Sequence, residues 1–351
     1  MQHVVSEQEN DLGCPKCNVP LAVGMSGADC PECQAHFAVE DGILCTDRTD
    51  AFLGEFDATR MHQFVQLARD QGWRKVAEGP MGDEDPSARN VLLGSNRATF
   101  MELFKQSSPR NILDVGAGMG AISLQLAKRF KQVYSLDLAF DRLAFLRVIA
   151  EQEDIAEKIR AICHRNVLSL PFKTGALDAA AMVGVFEYFP ASYPHDKIRD
   201  VQLKALTELH RVISPGGELF IATKNRYGWP HWAGAVDNSG LRFGPLMPRW
   251  LADTMSRILL KQPFRIVTDG YSDNVGLLQE AGFTDIRFYW PVPGYQSPLH
   301  WVDLADDGAV KEAVKRYVEN PVKRGVLTFL VAIGVFKYLV PHFGIMAKKA
   351  E

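Results

Sequence analysis

Four cysteines stand near the beginning of the chain as two short pairs. Cys14 and Cys17 form C-P-K-C, and twelve residues later Cys30 and Cys33 form C-P-E-C. Each C-x-x-C turn can direct two thiolates at one centre, and four thiolates satisfy the tetrahedral preference of zinc. A redox C-x-x-C, the alternative together with disulfides, is normally single and lies beside a βαβ pattern. The spacing therefore predicts one structural zinc ion bound by the four cysteines.

A second chemical site is indicated by the run I-L-D-V-G-A-G-M-G over residues 112–120. An apolar strand is followed by a glycine turn that opens a helix, so the main chain can approach a ligand and offer it free N–H groups. Gly116, Gly118 and Ala121 also fit the G-x-G-x-x-G/A pattern of dinucleotide sites, and Asp137 follows where an acidic residue could hold a ribose. The run alone leaves S-adenosylmethionine and NAD both open.

Asp114 favours the first of these cofactors. It lies two residues before the first glycine, where its carboxylate could face a cationic amino-acid group but would repel a pyrophosphate. Downstream, N-V-L-S-L-P-F over 166–172 precedes A-L-D-A-A-A-M-V-G-V-F-E-Y-F, and I-S-P-G-G leads into E-L-F-I-A-T. In form and order, these segments between residues 110 and 224 resemble the class I S-adenosylmethionine-dependent methyltransferases.

The resemblance implies a set of cofactor-binding residues. The set is Asp114, Gly116, Ala117, Gly118, Asp137, Leu138, Asn166 and Val167. The glycine turn would surround the methionine part, Asp137 would bind both ribose hydroxyls, and Leu138 would pack on the adenine. Many relatives have aspartate where this chain has Asn166, whose carbonyl oxygen can still accept a hydrogen bond from the adenine amine, without charge assistance. A simple turn-forming role is the alternative for Asn166.

The catalytic residues are predicted beyond the ends of the strands. Methyl transfer requires a positioned nucleophile and exclusion of water, and a general base helps if the acceptor is a hydroxyl. His231 is the first candidate, followed by Tyr227 and Glu187, with Tyr188 and Asp237 as further positions. Relatives often have histidine at the place of Tyr188, so the resemblance assigns no catalytic histidine here. A packing or binding role is the alternative for His231.

The segment after the last methyltransferase motif indicates the kind of acceptor. It interleaves aromatic residues with Arg226, Arg242 and Arg249, which suit a sugar, an anionic small molecule or a stacked base. The net charge of −3 and the apolar segment 325–336 favour O- or N-methylation of a small molecule, a glycan or a lipid-linked sugar. An rRNA or tRNA base methyltransferase is the alternative. An NAD-dependent oxidoreductase and a noncatalytic partner subunit are alternatives from other classes.

The elements that position these residues predict an α/β fold. Strand and helix patterns alternate after residue 110, which favours a mostly parallel sheet with helices on both faces. With the resemblance, this becomes a Rossmann-like sheet of seven strands. The expected strands are 112–115, 132–136, 159–163, 176–183, 218–222, 285–289 and 343–347. The expected helices include 121–130, 141–152, 198–212 and 274–281.

Three regions are expected along the chain. Residues 1–48 resemble the short zinc-ribbon modules related to the tRNA methyltransferase activator protein, through C-P-K-C-N-V-P-L and C-P-E-C-Q-A-H-F-A-V-E-D-G-I-L. That resemblance implies a structural staple, a surface for a protein partner or, as in some rRNA guanine methyltransferases, a contact to RNA. Residues 49–107 would be a helical linker and cofactor-site lid. Residues 108–351 would form the methyltransferase domain, with a substrate cap at about 225–270 and an apolar helical insertion at about 309–340.

Three segments bear on linkers and location. The polar stretch 79–86, rich in Gly, Pro and Asp, predicts a linker. Residues 1–10 lack the apolar stretch of a secretory signal, so a cytoplasmic location is expected. The apolar segment 325–336 is shorter than the ~20 residues that span a bilayer, and a helix buried against the main domain is expected. A helix in a membrane interface, with peripheral contact through 325–340, or one covering an apolar substrate is the alternative.

Overall fold

The computed structural model describes residues 11–24, 26–48, 56–105, 110–236 and 238–351. The predicted site residue Asp237 lies outside these ranges. The strands are β1 Ala22–Val23, β2 Gly27–Asp29, β3 His36–Glu40, β4 Ile43–Asp47, β5 Asn111–Val115, β6 Gln132–Asp137, β7 Ile159–His164, β8 Leu177–Val183, β9 Ile213–Lys224, β10 Phe283–Val292, β11 His300–Asp303 and β12 His342–Lys349.

The helices include every predicted helical segment, with the predicted bounds at 198–212 and changed bounds elsewhere. They are α1 Ala58–Gln71, α2 Trp73–Glu78, α3 Pro80–Glu84, α4 Pro86–Leu93, α5 Ser123–Leu126, α6 Phe140–Gln152, α7 Ile198–Val212, α8 Trp229–Trp232, α9 Arg249–Leu259, α10 Tyr271–Glu280, α11 Asp307–Tyr317, α12 Pro321–Ala332 and α13 Phe336–Leu339. Short 3-10 helices cover Thr99–Leu103, Ala156–Lys158, Phe186–Ser192 and Gly244–Leu246.

The described strands form a mixed sheet of twelve strands in the order β1-β2-β3-β4-β7-β6-β5-β8-β9-β12-β10-β11. The prediction of a seven-stranded sheet is therefore wrong in strand number. All seven predicted strands are present, as the run from β7 to β10 in this order. The edges of an open sheet offer unpaired N–H and C=O groups. Accordingly, β4 of the cysteine-rich segment pairs in parallel with β7, and β11 pairs antiparallel with β10.

The chain divides into two compact units. The first contains Met1–Ala181, Glu208–Glu218 and Glu351, and the second contains Met182–Thr207 and Leu219–Ala350. In the first unit, β5 pairs in parallel with β6 and β6 with β7. The side chains of β5 are all buried, as are those of β6 after its first residue. Burial on both faces explains why apolar residues stand next to each other in these strands, as in Ile112-Leu113 and Val133-Tyr134, rather than alternating with polar ones.

Helices fill the part of the first unit between β4 and β5. Asp57 caps α1, because its carboxylate accepts a hydrogen bond of 2.8 Å from the Arg60 N–H. The linker predicted at 79–86 is wrong, since α3 begins there at Pro80 and buries Met81. Proline is favoured in the first turn of a helix, where its missing N–H would be unpaired in any case.

The helix predicted over 121–130 is shorter than expected. Only Ser123–Leu126 is α-helical, and the chain then tightens into a turn. The Lys128 N–H donates to the Gln125 carbonyl at 3.1 Å, and the Arg129 N–H donates to the Leu126 carbonyl at 2.9 Å. Such i to i+3 bonds commonly close the last turn of a helix.

The second unit contains the predicted cap and the predicted apolar insertion. The cap includes α8 and α9 as well as irregular segments. The expectation that the apolar insertion is a buried helix is wrong for α12, because its buried side chains are Leu327 and Val331 while Val326 and Phe329 are exposed. A helix of twelve residues buries one face, here toward its neighbour α11, and leaves the opposite face outside. In the part of the chain that the structure describes, no helix is long and apolar enough to cross a membrane.

Candidate active site

The glycine turn after β5 is fixed by the end of β6. The N–H groups of Gly116 and Ala117 donate to the Leu136 carbonyl at 2.8 and 3.0 Å. Gly116 has φ of 73°, in the left-handed region that favours glycine. At Gly120 a Cβ atom would lie 2.1 Å from Cδ1 of Leu146, so a larger residue cannot fit unless the Leu146 side chain moves. The turn therefore keeps its shape through main-chain bonds and close packing.

The same turn holds the carboxylate of Asp137. Its Oδ2 accepts a hydrogen bond of 2.8 Å from the Gly118 N–H, and its Oδ1 accepts one of 2.9 Å from the Ala139 N–H. Each carboxylate oxygen can accept a further bond. The structure thus brings two predicted cofactor residues, Gly118 and Asp137, into direct contact and fixes the acidic group in one orientation.

Asp114 lies buried at the beginning of the turn. Its Oδ2 accepts a hydrogen bond of 2.6 Å from the Ser123 hydroxyl, which in turn accepts one of 2.7 Å from the Ser135 hydroxyl. Burial raises the pKa of Asp114 to about 6, and the negative charge of Asp137 acts in the same direction, whereas the Ser123 bond opposes the rise. A cation bound near this carboxylate would favour its ionised form.

The predicted adenine-binding residues lie in the loop after β7 and beyond β6. Asn166 and Val167 are half-buried, as is Leu138. The Asn166 Oδ1 already accepts a hydrogen bond of 3.1 Å from the Leu168 N–H. Asn166 therefore stabilises a turn of its own loop, which was its alternative role.

A buried histidine that the sequence patterns did not indicate holds this loop. His164 Nε2 lies 2.8 Å from the Asn166 carbonyl and 2.9 Å from the Ser169 carbonyl, while Nδ1 lies 2.9 Å from the Thr46 hydroxyl. Burial lowers the pKa of His164, which keeps the imidazole neutral. With the proton assigned to Nε2, the ring donates to both carbonyls and accepts from Thr46. The signal available in the sequence was a single histidine at the end of a predicted strand.

The four predicted metal ligands converge in the first unit. Cys14, Cys17, Cys30 and Cys33 have their sulfur atoms within 4.8 Å of one another. The Sγ atoms of Cys14 and Cys33 are 3.6 Å apart, and those of Cys17 and Cys30 are 3.3 Å apart. Zinc–sulfur bonds of about 2.3 Å in a tetrahedron would place the sulfur atoms about 3.8 Å apart. The donor set therefore fits a zinc ion with little rearrangement.

The first cysteine turn is bonded directly to the L-P-F tract. The Gly13 N–H donates to the Pro171 carbonyl at 3.1 Å, and the Ser169 hydroxyl donates to the Pro15 carbonyl. A Cβ atom on Gly13 would lie 2.8 Å from the main-chain nitrogen of Lys173. We call the segment that contains Cys14, Cys17, Cys30 and Cys33 the cysteine module. Within the first unit, this module thus supports the loop that carries Asn166.

In the second unit, the predicted candidate Glu187 belongs to a chain of polar side chains. Glu187 is fully buried, and its carboxylate accepts bonds of 3.4 Å from the Thr223 hydroxyl and from the Asn238 amide. The Asn238 carbonyl oxygen accepts a bond of 2.5 Å from the ammonium group of Lys224. A buried carboxylate is therefore linked through Asn238 to a lysine.

His342 adds an imidazole to this group, which we call the Lys224 cluster: Glu187, Lys224, His231, Asn238 and His342. Burial, together with the smaller effects of the charges of Lys224 and His231, lowers the pKa of His342 to about 4. Among the residues that the structure describes, none forms a hydrogen bond with the buried Nδ1 of His342. The cluster therefore contains a neutral imidazole with one buried ring nitrogen left unbonded by the described residues.

Aromatic packing orients the His342 ring. The Tyr295 ring lies edge-on with its centroid 5.1 Å from that of His342. Gly184, directly after β8, allows this packing, since a Cβ atom there would lie 3.0 Å from Cε2 of Tyr295. His342 and Tyr295 were not predicted. They follow the cap in sequence and carry no local motif, apart from the position of His342 before the last predicted strand.

The other predicted acceptor residues hold the cap together. Arg226 donates to the carbonyls of Pro245 and Met247 at 2.8 and 3.0 Å, and Arg249 forms an ion pair of 2.6 Å with Asp269. Arg226 and Arg249 also line a cavity of about 490 Å³. The catalytic candidate Tyr227 packs on Gly270, where a Cβ atom would lie 2.8 Å from its ring.

Residues 113–221 match the family described as a methyltransferase domain. This segment of the chain is therefore similar to a methyltransferase domain. The predicted enzyme class is confirmed at the level of this domain. The matched segment includes Asp114, Asp137 and Glu187 but neither the four cysteines nor His342.

Two curated relatives and one solved structure illustrate the similarity. Demethylmenaquinone methyltransferase of Thermus thermophilus is 34% identical over 127 residues, which cover 36% of this chain and 52% of the relative. Norajmaline N-methyltransferase of Rauvolfia serpentina is 25% identical over 152 residues, covering 40% of this chain and 48% of the relative. The chain thus spans about half the length of each of these two proteins. Phosphoethanolamine N-methyltransferase 2 of Haemonchus contortus has a TM-score of 0.46 and 15% identity, covering 82% of this chain and 60% of that protein.

Proposed function

We propose that this methyltransferase domain uses S-adenosylmethionine to methylate a hydroxyl or amine of a small acceptor molecule. The observation that carries the proposal is the bonding of Asp137 to the glycine turn through the Gly118 N–H at 2.8 Å. The carboxylate and the turn meet at the end of the parallel strands, which is where open α/β sheets bind their ligands. The match of residues 113–221 to a methyltransferase domain supports the choice of cofactor over NAD.

The donor site is assigned to residues of the first unit. S-adenosylmethionine supplies an electrophilic methyl group on a sulfonium. In the proposal, Asp137 binds the ribose hydroxyls, and Asp114, with Gly116, Ala117 and Gly118, lies against the methionine part. The buried Asp114 carboxylate suits the cationic ammonium group of that part, because the low-dielectric surroundings strengthen the attraction. Leu138, Asn166 and Val167 remain the proposed adenine contacts.

The acceptor is assigned to the Lys224 cluster in the second unit. When the acceptor oxygen or nitrogen attacks the methyl carbon, the carbon–sulfur bond breaks and its electron pair stays on sulfur. The acceptor then loses one proton, and the neutral Nδ1 of His342 is the proposed hydrogen-bond acceptor for it. His231 and Lys224 would orient the acceptor next to this nitrogen. Since the leaving group is a neutral thioether, orientation and water exclusion supply most of the catalysis.

The proposed class of acceptor is a small molecule. The names of the two curated relatives refer to demethylmenaquinone and norajmaline, which supports this class over a macromolecule. A glycan or lipid-linked sugar remains within the proposal, and a base in rRNA or tRNA is the alternative. A cytoplasmic location remains a prediction from the sequence.

Zinc is proposed as a structural ion of the cysteine module. The convergence of four thiols within 4.8 Å supports this assignment. The ion would stabilise the first cysteine turn, and this turn supports the loop that carries Asn166 through the hydrogen bond between the Gly13 N–H and the Pro171 carbonyl. A protein partner at this module is a further expectation that the zinc-ribbon resemblance implies.

Ligand titration tests the donor assignment. We expect S-adenosylhomocysteine to bind the purified protein with micromolar affinity and NADH not to bind. Micromolar binding of NADH alone would support the oxidoreductase alternative. Transfer of a radiolabelled methyl group into cell extract, separated into RNA, lipid, glycan and small-molecule pools, then tests the acceptor class. Label found chiefly in RNA contradicts the small-molecule proposal, and donor binding without transfer to any pool favours a noncatalytic role.

A further inference from the structure

Helix α12 presents an apolar face outward. The N-terminus of the helix is capped, because the Asn320 side chain accepts a hydrogen bond of 3.0 Å from the Lys323 N–H. Pro321 occupies the first turn, where proline is favoured. Leu327 and Val331, one turn apart, are its buried side chains. The helix is therefore an ordered element with a defined inner face, and the opposite face is a surface.

Four large apolar side chains line that surface. Val322 is 75% exposed, Val326 53%, Phe329 62% and Ile333 52%. Their spacings of four, three and four residues place them on one side of the helix. We call these four residues the α12 stripe. Single exposed apolar residues are ordinary, whereas a continuous stripe of them marks a binding surface.

The charged residues of α12 and α13 are all basic. Residues 320–350 contain five lysine or arginine residues and no aspartate or glutamate, although the whole chain has a net charge of −3. Lys323 and Arg324 lie in the first turn of α12, and Lys337 lies in α13. A partner for this surface should therefore offer apolar groups to the α12 stripe and anionic groups to the neighbouring lysine and arginine residues.

Tryptophan lies next to the same helix. The ammonium group of Lys323 lies 5.1 Å from the ring centre of Trp229 in α8. At the other end of α8, Trp232 is 61% exposed. Tryptophan is enriched at the boundary between lipid headgroups and acyl chains, where its apolar ring and polar N–H are both accommodated.

We infer that the α12 stripe binds the surface of an anionic lipid bilayer. The helix has twelve residues and is about 18 Å long, so it is too short to span a bilayer and would lie along the interface. Its apolar stripe would enter the acyl boundary while the lysines and arginines contact lipid phosphates. A second copy of this chain is the poorer partner, because a symmetric contact would bring two cationic segments together.

The inference does not depend on the proposed acceptor site. It does indicate the side from which an acceptor molecule would approach that site. The Asn225 amide donates to the carbonyls of Tyr338 and Val340 at 2.9 and 2.7 Å, which fixes the chain between α13 and His342. Attachment through α12 would therefore hold the Lys224 cluster close to the bilayer. A lipid-soluble acceptor could reach His342 from there.

Vesicle flotation of the full chain tests the inference without substrate or cofactor. We expect binding to phosphatidylcholine vesicles containing phosphatidylglycerol, and at least fivefold weaker binding to phosphatidylcholine alone. The pair Val326→Gln and Phe329→Gln should weaken binding at least tenfold, since about two buried apolar side chains are lost. Lys323→Gln should reduce only the dependence on phosphatidylglycerol, by about fivefold at low salt.

A matched variant on the same helix controls for structural damage. Thr328 is exposed on α12 outside the stripe, so Thr328→Gln should bind vesicles as the unchanged chain does. Thermal unfolding and S-adenosylhomocysteine affinity should be unaltered in all these variants, which separates this test from that of the donor site. Equal binding of the stripe variant and the unchanged chain overturns the inference. A dimer that the stripe variant converts to a monomer also overturns it and assigns the face to self-association.

Discussion

The two units of the chain build their sites in different ways. In the first unit, the donor residues Asp114, Gly118 and Asp137 lie within 24 residues of sequence, and main-chain N–H groups fix their geometry. In the second unit, the Lys224 cluster draws on residues from Glu187 to His342, and side chains hold one another. A turn with a required backbone shape leaves a local pattern in the sequence, whereas a cluster assembled from distant segments leaves almost none.

The largest effect is expected when one thiol is removed from the cysteine module. Cys30→Ser should abolish the binding of about one zinc ion per chain, because three thiolates hold the ion much more weakly than four. Since the Gly13 N–H is bonded to the Pro171 carbonyl, the loop carrying Asn166 should loosen and donor affinity should fall more than 100-fold. Metal analysis and calorimetry with S-adenosylhomocysteine measure the two effects.

Cys45 offers a control outside the cysteine module's metal ligands. It lies half-buried on β4, opposite Cys163 of β7. Cys45→Ser should retain the metal and lose little donor affinity. If Cys30→Ser loses its zinc but keeps full donor affinity, the cysteine module is a third region that is independent of the donor site.

The next largest effect is expected from the donor site itself. Asp137→Ala removes the carboxylate that would bind the two ribose hydroxyls, and each charge-assisted bond contributes about 1.5–3 kcal/mol. Affinity for S-adenosylhomocysteine should fall about 100-fold or more, while thermal unfolding stays cooperative. Asp70→Ala, an exposed change on α1, is the matched control and should leave affinity unchanged. Undiminished binding by Asp137→Ala would show that the ribose assignment is wrong.

The features that could be predicted from the sequence are mainly the local ones of the first unit, whereas the dispersed cluster of the second unit could not be predicted. The strands and the glycine turn of the first unit were predictable, because burial on both faces makes apolar runs and a positive φ at Gly116 requires glycine. The four cysteines were predictable from spacing alone. The additional pairing of β4 with β7 was not, since edge pairing depends on which strand reaches the edge. His342 was not predictable either, because its role depends on Lys224 and Tyr295 far away in the chain.

The acceptor cluster should respond in rate rather than in donor affinity. His342→Gln removes the neutral imidazole nitrogen proposed to accept the proton, and loss of such a group lowers kcat about 100-fold. The dissociation constant for S-adenosylhomocysteine should stay within twofold, as measured by calorimetry. The exposed His195 provides the control, and His195→Gln should keep the full rate. A variant of His342 that methylates at the normal rate would remove His342 from the chemistry and return His231 to first candidate.

The smallest expected effect is the pH dependence of donor binding, and it tests the first unit alone. Burial raises the pKa of Asp114 to about 6 from its ordinary value of 3.8, so the folded protein holds this proton more tightly than the unfolded chain. Its contribution to stability therefore declines as pH rises from 3.8 to about 6 and is constant above that. A bound ammonium group favours the ionised carboxylate, so donor binding must release the proton below pH 6.

Donor affinity should accordingly be constant from pH 7 to 8 and fall by up to about tenfold for each unit below pH 6. Calorimetry with S-adenosylhomocysteine between pH 5 and 8 measures the profile. Asp114→Asn has no titrating carboxyl, and its weaker affinity should be nearly independent of pH over this range. The same slope in Asp114→Asn would place the titrating group elsewhere and leave Asp114 a structural partner of Ser123. A flat profile in the unchanged chain would mean that the bound ammonium group does not lie against this carboxylate.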